Sequence, residues 1–228
     1  MNTALLSLLQ LADPTLPIGS YAHSAGLETY VQQGIVHNSV TAKSFVTGFL
    51  SRSFQYTDAA FMSLAFTAAM DDDMEKVVAL DEECSAVKLP TETRQASQKL
   101  GIRLLKIFGP LYKNKIADDY QAAIKQHKVT GHYCIAFGLY AAALGISKQD
   151  ALTGFYYNAA VGLVTNCVKL IPLGQQDGQQ ILFSLQPLLL KLVANSMQPA
   201  VDMIGVCCAG FDISCMQHEQ LYSRLYMS

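Results

Sequence analysis

Residues 147–196, SKQDALTGFYYNAAVGLVTNCVKLIPLGQQDGQQILFSLQPLLLKLVANS, narrow the folds open to this chain more than any other stretch. Two long apolar segments are joined by a turn rich in glycine and glutamine. Ser147 followed by Asp150 is a helix start of the capping-box type, in which a hydroxyl and an acid satisfy free N–H groups of the first turn. Between Ala151 and Gln176 the only charge is Lys169. Apolar residues fall on every side of the implied helix, which predicts a segment with no solvent face. Pro172 stops it, and Gly174 and Gly178 let the chain turn back. Gln175 or Asp177 is placed to cap a second helix, with a kink expected at Pro187. The expectation is a central, buried helical hairpin.

Could that hairpin cross a membrane? Its apolar run is long enough in residues. However, Asn158, Thr165, Asn166, Lys169, Gln186 and Lys191 lie within it, and no basic clusters flank it to set an orientation. A water-soluble reading is preferred. The N-terminal apolar run Ala4–Leu11 has no preceding basic residue and no small-residue cleavage site, unlike a secretory signal.

The other segments also read as helices. A short one spans Leu5–Ala12, and a second follows the loop PTLPIG, capped by Ser20 or Ser24 and stopped at Gly34. Thr41 opens a long helical segment over Ala42–Met70, and Asp71–Asp73 forms an acidic turn before a helix over Met74–Val87. Thr91 starts a helix broken at Gly109–Pro110, Ile116–Lys125 is a short helix, and Gly131 opens another. Asp212 is the expected N-cap of a final helix. No alternating strand pattern with turn punctuation occurs. The fold class is therefore all-α, a single domain over 1–228 with no linker dividing it, stacked around the hairpin.

Charge is scarce. Only 15% of residues are charged against a usual share near ~25%, 51% are apolar, and the net charge is −2. Such a surface calls either for a large core or for partners that cover it. No Lys/Arg cluster interleaves with aromatics, so nucleic acid is not an expected ligand. Six cysteines without a spacing framework suggest reduced thiols in the cytoplasm.

Candidate chemistry is sparse. There is no Gly-x-Ser-x-Gly elbow, Walker loop or Gly-x-Gly-x-x-Gly. His132 and Cys134, two apart on a helix, point to different faces. Cys207, Cys208, Cys215 and His218 are close in sequence, and Cys215 with His218 would share a helix face. Thiolate and imidazole suit zinc, nickel or copper(I), but the spacing matches no common structural zinc pattern, and buried cysteine is a frequent small hydrophobe. Lys169 has two readings. It is either a cation favouring the last turn of its helix and reaching water, or a charge in a polar interior passage paired with an acid such as Glu28. Arg94, Lys99, Arg103 and Lys106 form the most basic helix face, read as solvated or as a docking face for an acidic partner. His23, His37 and His127 have no ligand-like sequence neighbours. The last 24 residues, 205–228, are rich in Tyr, Leu and Met where chain ends are usually polar. They are expected to lie against the core or against another chain.

Several blocks, in order, carry a resemblance: LLQLADPTLPIGSYAHSAGLE, PTETRQASQKLGIRLL, GHYCIAFGL, NAAVGLVTNCVKLIPLGQQDGQ and GFDISCMQHEQLYSRLYMS. Together they resemble the signature blocks of the urease accessory protein F family, over nearly the whole chain. Ala25 and Gly162 depart modestly from the pattern. The resemblance implies an all-helical homodimer, not itself an enzyme and with no intrinsic cofactor. It would join a D/H-type urease accessory protein and a G-type GTPase, and deliver nickel, handled transiently as cargo, to apo-urease. The family also suggests gating of the GTPase and of nickel passage, with Glu28, Lys169, Gln175 and Gln179 as residues of a polar passage. Asp212, Met216, His218, Glu219, Tyr222, Arg224, Leu225 and Tyr226 would form the partner-docking C-terminal segment. Tyr21, His23, Ser24, Arg94, Lys99 and Arg103 would face the GTPase or the second copy. Competing expectations are a metal- or thiol-dependent helical enzyme and a membrane-associated helical protein.

Overall fold

A computed structural model describes residues 3–20 and 23–227. Among them there are eleven α-helices and no strand. The first is α1 (Ala4–Leu11), followed by α2 (Leu27–Gln32) and α3 (Ser39–Gly48). Then come α4 (Asp58–Met70), α5 (Met74–Val87), α6 (Thr91–Leu111) and α7 (Lys115–Lys125). The chain continues through α8 (Tyr133–Ala143), α9 (Lys148–Leu170), α10 (Gln175–Ser196) and α11 (Ala209–His218). The all-α reading holds.

Many helix starts follow side-chain chemistry visible in the sequence. Ser147 accepts the Asp150 N–H at the start of α9, and its hydroxyl donates to the Asp150 carboxylate at 2.6 Å. Asp73 caps α5 through the Lys76 N–H. Asp177 reaches back to the Gly174 N–H at the start of α10.

Other boundaries differ. Asn38, not Thr41, caps α3, with Thr41 completing a reciprocal capping box. Neither Ser20 nor Ser24 caps α2, which starts after Gly26 in the left-handed region, φ 77°. The expected helix over 42–70 is interrupted by a π-helical stretch, Phe49–Phe54, and by a sharp bend at Thr57. The wider turn sets Phe49 edge-on to Phe211 at 5.5 Å and stacks Phe54 on Phe155 at 5.1 Å. Helix α6 runs through Gly109–Pro110 to Leu111, and Asp212 lies inside α11 rather than capping it.

The hairpin of α9 and α10 forms, but it is not the centre. Thr153, Tyr157, Thr165 and Lys169 give α9 a solvent stripe, and α10 exposes Phe183, Gln186 and Leu190. Uniform hydropathy hid that face because several exposed residues are themselves apolar. The deepest helix is α8, buried from Cys134 to Ala141, lying on α4. Small residues permit this closeness. A Cβ on Gly138 would stand 2.7 Å from the Met62 carbonyl oxygen and 3.0 Å from the Phe66 nitrogen.

Candidate partner-docking site

The C-terminal segment is fastened to the body by two carboxylates. Glu28 lies in the first turn of α2 and is buried. Its Oε1 accepts the Leu225 N–H at 2.8 Å, and its Oε2 accepts the Tyr226 N–H at 3.1 Å. Glu92, in the first turn of α6, accepts from Arg224 Nη1 at 2.6 Å. The fully buried His218 ring bridges the two acids, with Nδ1 2.8 Å from Glu92 and Nε2 3.2 Å from Glu28. Burial of this charged cluster is tolerable because each acid meets several donors.

Why does α11 come so close to α2? Ala25 and Gly26 both adopt positive φ, 53° and 77°, which turns the chain sharply into α2. A Cβ on Gly26 would lie 3.1 Å from Cys215 Sγ and 3.2 Å from its backbone nitrogen. The Ser214 hydroxyl donates to the Gly26 carbonyl at 3.1 Å, and the Thr29 hydroxyl donates to the Ser214 carbonyl at 2.9 Å. On its other side α11 inserts Phe211 among Tyr30, Phe45 and Phe49.

With the segment anchored, its apolar groups divide. Tyr226 is buried, its hydroxyl without a hydrogen-bond partner. Tyr222, Leu225, Met227, Met216 and Ile213 are exposed. Asp212 is half-buried and accepts from the Cys207 thiol at 3.2 Å, and Glu219 follows the last turn of α11. The result is a chain end held by polar contacts beneath and apolar on top.

The passage residues are not assembled. Glu28 is engaged as above, while Lys169, Gln175 and Gln179 are all exposed on α9 and α10. Among the described residues no ion pair joins Glu28 to Lys169. Lys169 takes the plainer of its two readings, a cation in the last turn of α9 reaching water. The metal candidates are also committed elsewhere. Cys215 is buried, which pushes its thiol up to about 11, and both ring nitrogens of His218 face acids. Among the described residues no group of three or more His, Cys, Asp or Glu is arranged to hold a metal.

The third set scatters around the start of α6 and the 14–24 loop. Arg94 donates to the Lys88 and Leu89 carbonyls, Arg103 donates to the Ile18 carbonyl at 2.8 Å, and Lys99 is exposed. The Ser24 hydroxyl is buried without a hydrogen-bond partner. The His23 carbonyl accepts from Asn166 at 2.8 Å. Burial, then the charges of Lys99 and Arg103, hold the His23 ring down at about 4, so it is neutral at pH 7. Tyr21 lies outside the described residues. His23 borders a cavity of about 530 Å³ whose wall also includes Asp58, Lys88, Ser97, Tyr133 and Gly162.

Sequence reasoning missed Glu92, an acid in the first turn of α6. It also missed Asp81, a buried carboxylate accepting from Tyr120 Oη at 2.5 Å, from the Thr130 hydroxyl and from the Thr130, Gly131 and His132 N–H groups. Burial would raise its pKa, but these donors and His132 outweigh it and hold the acid below the usual carboxylate range. No local pattern announces either residue. Each gains its role from partners dozens of positions away.

Residues 36–186 match the UreF family model. Over 222 residues, 97% of this chain and 98% of the relative, the sequence is 47% identical to the urease accessory protein UreF of Actinobacillus pleuropneumoniae. It is 47% identical over 226 residues to that of Haemophilus influenzae, covering 99% of this chain and 96% of the relative. The protein of the same name from Bacillus sp. (strain TB-90) is 35% identical over 224 residues, covering 98% and 99%. Helix content, block order and full-length similarity agree: the chain belongs to the UreF family of urease accessory proteins.

Proposed function

We propose that this chain acts in urease maturation as a non-catalytic scaffold, joining a D/H-type accessory protein to a G-type GTPase while nickel is delivered to apo-urease. The observation that carries the reading is the C-terminal segment. Its polar anchors face Glu28 and Glu92, whereas Tyr222, Leu225 and Met227 are presented outward with nothing over them in the described chain. Large apolar groups clustered on a fixed support are what a partner surface buries. The D/H-type protein is the occupant this reading assigns. The face of α6 that carries Lys99 and Lys106 is the surface assigned to the GTPase. Nickel is cargo here, and the work takes place in the cytoplasm.

A membrane-spanning role has no support: among the described residues no helix is long and apolar enough to cross a bilayer. Co-expression tests the scaffold reading. The intact chain should co-purify with the D/H-type protein and the GTPase. A Tyr222→Asp, Leu225→Asp variant keeps every anchor and should lose the D/H-type protein, weakening binding at least ~100-fold if both side chains are hot spots. Undiminished capture, or turnover of a substrate by the isolated chain, would overturn the reading.

A further inference from the structure

Two thiols meet in the core, apart from the C-terminal segment described above. Cys84 on α5 and Cys134 on α8 are both fully buried, with their sulfurs 3.7 Å apart. They are separated by 50 positions in sequence and belong to helices that pack together. Around them the core is unusually polar. Lys88, four residues after Cys84 and just past the end of α5, is buried and pairs with Asp58 at 2.7 Å. His132, just before α8, is fully buried and held between Ser85 at 2.8 Å and Ser97 at 3.0 Å.

From this juxtaposition we infer that Cys84 and Cys134 are a peroxide-oxidisable dithiol that closes to a disulfide between α5 and α8.

Three features favour the chemistry. The first is the state of Cys84. Burial alone would push its thiol up, but the contacts with Cys134 and His132 and the Lys88 charge outweigh that and pull it down. Cys134 moves the other way, pushed up by burial first and then by its contact with Cys84, so Cys84 is assigned as the attacking sulfur. The second is access. Lys88, one turn from Cys84, and Tyr133, next to Cys134, both line the cavity of about 530 Å³ beside His23. The cavity thus brings solvent-sized space to residues adjoining both cysteines. The third is the lack of a competing metal role, since the described residues hold no metal-binding group of three.

The steps balance. The Cys84 thiolate attacks one peroxide oxygen, forming Cys84–S–OH and releasing hydroxide, which takes up the proton the Cys84 thiol gave up and leaves as water. The Cys134 sulfur then displaces that hydroxyl, the S–S bond forms, and water leaves with the Cys134 proton. Peroxide is reduced to two waters as two thiols become one disulfide. A thiol reductant restores the pair.

Peroxide treatment of the full chain carrying Cys207→Ser and Cys208→Ser, followed by non-reducing peptide mapping, tests this. The expected product links Cys84 to Cys134, with an intact mass lower by two hydrogens and restored by dithiothreitol. Closing a loop of this size should raise the thermal midpoint by roughly 5–10 °C. Cys167 and Cys215 serve as internal comparators, since burial pushes their thiols up to about 12 and about 11. With Cys134→Ser added, Cys84 should stop at the sulfenic acid and be trapped by dimedone. If that variant does not fold, the map of the parent decides alone. Recovery of Cys84 and Cys134 as free thiols after Cys167 or Cys215 has oxidised would overturn the inference. So would a Cys84 disulfide to any other cysteine.

Discussion

Asp81 shows how much one side chain can organise in this protein. Its two oxygens collect the Tyr120 hydroxyl from α7 and the N–H groups that lead into α8, so three parts of the fold converge on one charge. Removing the charge while keeping the shape leaves donors facing a neutral amide, which itself brings unwanted N–H groups. Asp81→Asn should cost about 3 kcal/mol at pH 7. The sign of the pH effect follows from its depressed pKa. Asp81 is ionised in both states above the ordinary aspartate value of about 4, and its stabilisation is fully present there. It is lost as pH falls through the lower folded value. Urea midpoints of the two proteins should therefore differ most near pH 7 and converge toward pH 2. A constant gap across that range would remove the charge from the explanation.

Among the helices, glycine decides how closely partners lie, and two of them make opposite predictions. Gly138 on α8 faces the backbone of α4, which cannot move aside cheaply. Gly138→Ala should destabilise by ~1–3 kcal/mol. Gly162 on α9 has no heavy atom within 4 Å of where a Cβ would go, so Gly162→Ala should stabilise by up to ~1 kcal/mol through helix propensity alone. Thermal melts of both variants, moving in opposite directions, check the pair.

The same elements show what could be read in advance. Starts marked by side chains, such as Ser147, Asp73 and Asp177, were legible because a cap acts within three residues. The break at Thr57 was not, because helical periodicity continues through it and only the aromatic packing of Phe49 and Phe54 rewards the wider turn. Nor did Pro110 break α6, whose first 19 residues had already committed the helix. For the candidate site, the tyrosine-rich end raised the expectation of contact with the core or with another chain, but the Glu28–His218–Glu92 bridge joins residues 28, 92 and 218, a span no local pattern records.

Taken whole, the molecule leaves apolar groups outside in separate places. Leu5, Leu6 and Leu9 are exposed on α1, and Tyr222 and Leu225 on the C-terminal segment. On α10, Phe183 is 73% exposed and Leu190 63%, and their spacing of seven residues places them along one side of the helix. The shortage of charge in the composition thus reflects surface as well as core. A Phe183→Glu, Leu190→Glu variant should remain folded by circular dichroism, with its stability in urea within ~0.5 kcal/mol of the parent, because neither side chain is packed in the core. A larger loss would place these two side chains in the packed core instead.

Glu28 grips the end of the chain by main-chain N–H groups, not by what the residues at 225 and 226 carry. That part of the mooring is indifferent to the side chain at 225, which is free to vary while its backbone stays in place. The outward face at 225 can therefore be rewritten, one side chain for another, while the same acid keeps this stretch in register.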